Sequence, residues 1–464
     1  MSFPRYAEYV ESGVDWLGKM PKDWQVKPLK LVSQIDTGFA FPSEVFSDAG
    51  VPVIRITDIQ GRSIELKDTK RVSADFANGL TSVRPDVIKG DILMAMTGAT
   101  IGKVGYYMSE ECAYINQRVC RFAPHAINSS YLWHILNSTY YKEHIALEAS
   151  GGAQPNISDT QLLSFKFGLS PSITEQTQIA RFLDHETAKI DALIAEQKRL
   201  IKLLQEKRQA VISHAVTKGL DPNVPMKDSG VEWLGEVPAH WVVTPIKYLV
   251  STPVTDGPHE TPQFLEAGVT FISAEAVSKG KIEFSKAKYI SEEDHLRYSR
   301  KYKPRKFDIF MVKSGATTGV VAINESDDDF NIWSPLAVIR CNESANPYFV
   351  MHAMRSRSFQ ESVVLNWNFG TQQNIGMRVI ENLVVALPPV GEQSDIALKL
   401  NQRIESFDVL EQDAVNMVGL LTERRSALIS AAVTGKIDVR DWQPPADENA
   451  FDEEVQKAGL AASA

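Results

Sequence analysis

The chain repeats itself once at a fixed displacement, and a repeat of this length constrains the architecture before any other feature is weighed. Ser12-Gly13-Val14-Asp15-Trp16-Leu17-Gly18 recurs as Ser229-Gly230-Val231-Glu232-Trp233-Leu234-Gly235, a displacement of 217 residues. Pro21, Trp24, Pro28 and Lys30 then match Pro238, Trp241, Pro245 and Lys247 at the same displacement. So do Asp91-Ile92 and Asp308-Ile309, Gly98-Ala99-Thr100 and Gly315-Ala316-Thr317, and Glu175-Gln176 and Glu392-Gln393. Between these markers the halves diverge, as Arg55-Ile56-Thr57-Asp58 does from Ser273-Ala274-Glu275-Ala276. A frame kept while its filling changes implies two domains of one fold with different tasks.

Each half begins as a mixed α+β globule. Short β-branched runs at Val53-Ile54-Arg55-Ile56, Asp91 to Met96 and Gln117 to Phe122 predict strands. Tyr131, Leu132, Ile135 and Leu136 after Asn128-Ser129-Ser130 predict an amphipathic helix. After Pro171 the pattern changes. Ser172 and Glu175 have capping-box spacing, so a helix should start there with Glu175 reaching back to the cap. Ile190, Ile194, Gln197, Ile201, Leu204, Arg208, Val211 and Ala215 then alternate steps of four and three, a heptad seam that Gly219 and Pro222 end. The seam recurs as Phe407, Glu411, Ala414, Val418, Leu421, Arg425, Leu428 and Ala432. Two helices of equal phase are natural partners for each other, with Arg208 and Arg425 as polar members suited to fixing register or touching a partner.

Composition narrows the function classes. At 464 residues the chain holds about three units of roughly 150. It has no run of about 20 apolar residues that would span a bilayer, and Met1-Ser2-Phe3-Pro4-Arg5 does not open a secretory signal. A cytoplasmic location is expected. Cys112, Cys120 and Cys341 lack metal-ligand or disulfide spacing and are expected to be reduced and mostly buried. The net charge of −9, with six acids against two bases from Arg440 onward, does not decide whether the partner is a nucleic acid.

Catalytic motifs are missing. Gly98-Ala99-Thr100-Ile101-Gly102-Lys103 puts three residues between its glycines where a phosphate loop needs four, Val104 follows where a hydroxyl is needed, and the twin Gly315 to Val320 lacks the lysine. A tight turn between strands is the better account. No methyltransferase motif, nuclease carboxylate set, Walker motif or zinc cluster is present, so no catalytic or metal-ligating residue is assigned. The chain reads as a recognition protein. Candidate reading elements are the polar, glycine-rich loops Ser150 to Ser158, with Gln154 and Asn156, and Gly370 to Gly376, with Gln372, Gln373 and Asn374. Amides of this kind pair bidentately with adenine edges, and basic side chains with guanine or phosphate. Arg55, Lys103 and Arg118 in the first half, and Lys313 and Arg340 in the second, are candidates for those contacts.

The whole chain resembles the specificity subunit of type I restriction-modification systems. The resemblance rests on the repeated Trp-Leu-Gly…Pro…Trp segment, the Gly-Ala-Thr turns, the helix starts Pro171…Glu175-Gln176 and Pro389…Glu392-Gln393, and the endings Ile212-Ser213…Val216-Thr217 and Ile429-Ser430…Val433-Thr434. Asp256-Gly257-Pro258-His259-Glu260-Thr261-Pro262 also looks like the start of that family's recognition domains, which makes His259 a DNA-binding candidate. The first half departs there, with Asp36-Thr37-Gly38-Phe39.

The resemblance implies an α+β chain of two pseudo-symmetric mixed α/β target-recognition domains separated by two long antiparallel coiled-coil helices. Expected boundaries are an N-terminal arm at 1–24, recognition domains at 25–170 and 242–388, coiled-coil helices at 171–222 and 389–436, a repeated opening segment at 223–241 and an acidic, disordered tail at 437–464. It further implies sequence-specific reading of an asymmetric bipartite site on double-stranded DNA, so that partners methylate adenine or restrict. Those partners are two modification (methyltransferase) subunits and two restriction (translocase/nuclease) subunits. They would hold S-adenosylmethionine, ATP and Mg; this chain would hold no cofactor and meet no membrane. Glu175, Gln176, Ile190, Ile194, Ile201, Leu204, Arg208, Glu392, Gln393, Leu421, Arg425 and Leu428 are expected in the coiled coil and its partner contacts. The alternatives are a fused restriction-methylation enzyme, which would need the missing motifs, and a non-DNA coiled-coil scaffold, which would not need the polar loops.

Overall fold

Two long helices, Ile173–Lys218 and Val390–Val433, are the elements on which the rest is built. The computed structural model describes residues 3–79, 86–150, 152, 154–278, 280–367 and 373–444. By backbone contacts the chain divides into one unit of Met1–Gln197 with Asn416–Ala464 and another of Lys198–Val415, so each helix gives its beginning to one unit and its end to the other.

In the first unit a five-stranded sheet has the order Ser33–Thr37, Val119–Pro124, Ile92–Ala95, Val104–Tyr107, Ser63–Ile64. All its neighbours are antiparallel except the last pair. The second unit repeats the first four places with Thr255–Asp256, Leu336–Ile339, Ile309–Val312 and Val321–Ile323. A small pair joins each globule to its helices: Gln25–Pro28 with Lys166–Leu169, and Val242–Pro245 with Val384–Leu387. The predicted helix is Ser129–Asn137, and the Asn128 side chain accepts from the Tyr131 N–H at 3.0 Å.

Three sequence expectations shift. The strand expected at 53–56 stops at Ile54, because Asp58 takes both the Arg55 N–H at 2.8 Å and its guanidinium at 3.3 Å, closing a turn. The strand expected from Gln117 begins at Val119, since the Val119 N–H bonds back to the Asn116 carbonyl. Of the cysteines, Cys120 is buried, Cys341 partly so, and Cys112 exposed.

The helix starts differ from a simple capping box. Ser172 accepts from the Glu175 N–H at 3.3 Å, but the Glu175 carboxylate turns inward to the Tyr6 hydroxyl (2.7 Å), Trp24 Nε1 (3.2 Å) and Ser170 Oγ (2.5 Å). Its twin Glu392 takes Trp241 Nε1 at 3.0 Å. The repeated tryptophan, buried, and glutamate, half-buried, thus form one lock in each unit. Gln176 and Gln393 complete it: their Oε1 atoms accept from the N–H groups of Asn128 (2.9 Å) and Asn346 (2.7 Å). Both glutamines are buried, so their amides hold helix to globule and do not reach a partner's surface.

The helices end by one device. Gly219 and Gly435 have φ of +76° and +71°, the left-handed conformation that closes a helix without a Cβ penalty. Each lies against its own unit's tryptophan: Gly219 against Trp241, Gly435 against Trp24.

Every seam residue named from the heptad pattern is buried or half-buried, and each fully buried aliphatic member contributes about 1.5–3 kcal/mol. Polar contacts join the two helices. In the first unit Arg425 reaches Asp191 at 2.8 Å, and past the helix end the Trp442 carbonyl accepts from Gln178 at 2.5 Å. In the second, Gln205 meets Glu411 at 2.8 Å and Arg208 meets Asp408. In the second unit, rising numbers on one helix meet falling numbers on the other, so those segments are antiparallel.

Candidate functional site

The two motifs singled out in each half, the Gly-Ala-Thr turn and the polar loop, are fastened to each other. In the first unit the Gly98 N–H bonds the Pro155 carbonyl at 2.9 Å and the Ile157 N–H bonds the Met96 carbonyl at 3.1 Å. Ser150 and Asn156 exchange backbone bonds at 2.8 and 3.0 Å. Buried Ile157 is the peg. Ser158 then opens Asp159–Leu163 with a full capping box to Gln161, which fixes the loop's far end. The backbone is therefore held while the Gln154 and Asn156 side chains stay exposed. Arg118, also exposed, joins them, because its carbonyl accepts from the Met96 N–H at 2.9 Å.

The second unit has the same joint. The Gly315 N–H bonds the Gln373 carbonyl at 3.0 Å, the Ile375 N–H bonds the Lys313 carbonyl at 2.8 Å, and Ile375 is the buried peg. Gln373 and Asn374 are exposed; Gln372 lies outside the described residues. Asn156-Ile157 and Asn374-Ile375 are structural twins at a displacement of 218. Sequence reading at 217 passed over this pair, and allowing a one-residue slip would have found it.

Around the second joint the electrostatics differ from the first. Asp256 is 1 % exposed and meets Lys301 Nζ at 2.5 Å, His259 Nε2 at 3.0 Å and Lys313 Nζ at 3.3 Å. Burial pushes its pKa up, but the Lys301 hydrogen bond and the two lysine charges outweigh this and hold the carboxyl below its ordinary value. His259 is 68 % exposed above this group, whereas Lys313 is only 12 % exposed. The first half has no such histidine; what the halves share is a glycine. A Cβ on Gly38 would fall 2.2 Å from the Asn116 carbonyl oxygen and one on Gly257 1.9 Å from that of Ile332, so only glycine allows the strands to cross there.

Two candidates lie elsewhere with their charges engaged. The Arg55 guanidinium is on Asp58. Arg340 makes two 2.7 Å bonds to Asp308 and one of 2.6 Å to the Tyr302 hydroxyl, so it braces the sheet. Lys103 is exposed at the end of the Gly98–Lys103 turn, which joins two antiparallel strands as expected. Among the described residues no group of three or more His, Cys, Asp or Glu could hold a metal ion, and no helix is long and apolar enough to cross a membrane. The arrangement offers exposed amides and cations on two fixed, dissimilar platforms, a geometry suited to reading hydrogen-bond patterns.

Comparison with known proteins agrees with that geometry. Residues 21–203 and 263–415 match the family model of the type I restriction modification DNA specificity domain. The specificity subunit of the type I restriction enzyme EcoBI of Escherichia coli is 25 % identical over 452 residues, covering 94 % of this chain and 90 % of that one. The EcoKI specificity subunit of Escherichia coli strain K12 is 22 % identical over 443 residues, covering 92 % and 91 %. A chain from a structure on complex assembly and conformational transition of the type I R-M system superposes with a TM-score of 0.66 at 14 % identity, covering 89 % of this chain and 98 % of that one. The chain belongs to the type I restriction-modification DNA specificity family. It is a specificity subunit, the non-catalytic part of such a complex and the part that determines the DNA recognition site.

Proposed function

We propose that residues 25–170 and 242–388 each read one half of an asymmetric, bipartite site on double-stranded DNA. The observation that carries this is the repeated joint: one backbone arrangement in both units, presenting Arg118, Gln154 and Asn156 in the first and His259, Gln373 and Asn374 in the second. Equal platforms with unequal side chains suit two different half-sites, because base identity is read by side chains at the groove edge while the backbone sets register. Arg55 and Arg340 are left out of this reading, since their donors serve their own domains.

Adenine methylation then comes from two modification subunits, and cleavage from two restriction subunits. S-adenosylmethionine, ATP and Mg reside in those partners, in the cytoplasm. The two-fold number is supported by the repeated frame, which offers the same surface twice. The test is a chimera in which residues 25–170 are replaced by the corresponding segment of a relative with another target. Single-molecule sequencing of host DNA should show methylated adenines at a site changed in one half only. A change in both halves would overturn the assignment. The purified chain alone should transfer no methyl group, and should support transfer once its modification subunit is added.

A further inference from the structure

A cavity of about 430 Å³ in the first unit lies between the turn that ends at Lys103, the helices Ser129–Asn137 and Thr139–Glu148, and the two long helices. Its walls carry Arg62, Lys103, Lys142, Arg425, Asp191 and Trp133. Arg62 is paired with Asp184 at 2.5 Å and Arg425 with Asp191 at 2.8 Å. Among the described residues neither Lys103 nor Lys142 has a carboxylate within ion-pair distance. Four cations against two carboxylates leave a formal surplus of two positive charges. Trp133, 2 % exposed, adds an indole N–H with no hydrogen-bond partner, and the Arg62 guanidinium lies 4.8 Å over its ring. Partial burial and then the Arg425 charge lower the Lys142 ammonium from its ordinary range, a penalty that an anion would relieve.

The second half does not repeat this feature. At the places of Lys103, Trp133 and Lys142 stand Val320, Met351 and Gln360. The Gln360 amide is spent on the carbonyls of Gly319 (2.8 Å) and Met354 (2.7 Å). A feature of one half cannot serve two copies of one partner, so its occupant is something the chain meets on one side only. The volume falls within the roughly 300–1,000 Å³ of small-ligand sites. Guanidinium, ammonium and indole groups lining one cavity with surplus positive charge match a phosphoryl group.

We propose that this cavity is a phosphate-binding site, taking either a backbone phosphodiester of the DNA bound by the first half or a free phosphate. The first source rests on the DNA-reading function proposed above; the second does not. The turn that failed the count for a phosphate loop thus still delivers its lysine to a phosphate, through its side chain and not through a cradle of backbone N–H groups.

The test is the full chain carrying Lys103→Val and Lys142→Gln, the residues its own second half has at these places, assembled with its modification subunit. Two measurements are made: the salt dependence of target-DNA binding, and titration with inorganic phosphate followed by phosphorus NMR. A salt slope shallower by about 0.9 for one lost phosphate contact, with the methylated sequence unchanged and the slope restored when Lys142→Arg takes the place of Lys142→Gln beside Lys103→Val, assigns the site to the DNA backbone. An unchanged slope with saturable phosphate binding lost in the variant assigns it to free phosphate. An unchanged slope with no saturable phosphate binding by the wild type, or with binding that the variant keeps, overturns the proposal. If the wild type prefers no DNA sequence, the reading function fails by itself, and the phosphate titration still decides the cavity.

Discussion

Asp191 and Asp408 stand 217 residues apart, as do Arg208 and Arg425, so the pairs Arg425–Asp191 and Arg208–Asp408 are one interaction made twice with the helices exchanging roles. Their surroundings differ. Arg208 is only 11 % exposed, its Nε has no hydrogen-bond partner, and Glu411 stands 3.7 Å away as a second counter-ion, whereas Asp191 is nearly half exposed. Asp408→Asn should therefore cost about 1–3 kcal/mol, as for hydrogen bonds to buried charged groups. Asp191→Asn should cost less than about 1 kcal/mol, as for surface pairs. Urea unfolding of both variants checks this, and equal losses would contradict it. A second residue-scale contrast lies beneath the helices. Buried His134 meets Asp184 at 3.0 Å, while its twin His352 meets Asn401 at 2.7 Å. Burial, aided by the Arg355 and Arg208 charges, lowers the His352 pKa to about 4 against 6.5 unfolded. A lowered pKa contributes stability that is full above pH 6.5 and is lost as pH falls toward 4, on the order of 3 kcal/mol in all. Asn401→Asp should raise the His352 pKa and flatten the loss, visible as a shifted imidazole proton titration and a smaller drop in stability between pH 7 and 5. An unmoved titration would refute the pairing.

At the scale of elements, the loops show what a sequence can and cannot disclose. Pinning through the Gly98 and Ile157 N–H groups is a backbone matter, so Gln154→Ala with Asn156→Ala should leave the joint closed while removing its exposed amides. Discrimination at one half-site should weaken by about 1–3 kcal/mol per lost bidentate contact, with non-specific, salt-dependent binding unchanged. Competition titration against single-base variants measures it, and unchanged discrimination would reduce the loop to a connector. The helices, their seam and the two-domain frame were legible in the sequence because periodicity and a constant displacement are local or self-referential signals. The joint between turn and loop was not, because its bonds run through backbone groups some 60 residues apart and carry no side-chain signature. Arg340 is hidden for the same reason, because Asp308 and Tyr302 lie far from it in sequence; Arg55 is a different case, since Asp58 stands only three residues on and the cue for a turn there is local. Glu175 and Glu392 stand out in the sequence as repeat positions, yet their inward turn to Trp24 and Trp241 depends on pairs 151 residues apart.

For the whole molecule, the repeat bears on how many partners bind. Leu193, Met417 and Leu420 are exposed in the first unit, and Leu410, Leu200 and Leu203 in the second. These are the same three positions at a displacement of 217, with the helices exchanging roles, and each lies off the buried seam. Scattered exposed leucines need no explanation, but an equivalent set of Leu and Met kept in both units fits apolar contact with two copies of one protein. The candidate for that protein is the modification subunit proposed above. Leu200→Glu with Leu203→Glu should remove one copy, because the equivalent set in the first unit stays intact. The change should cost the chain itself little, since both side chains are exposed and glutamate is about as good a helix former as leucine. Met417→Glu with Leu420→Glu should remove the other copy, and the four substitutions together both. Native mass spectrometry of the assembled methyltransferase gives the count directly: one bound subunit for either pair and none for both together. Two subunits retained by either pair would show that the exposed leucines are not the docking surface. Loss of both from a single pair would show that the copies bind cooperatively and not to two independent sites.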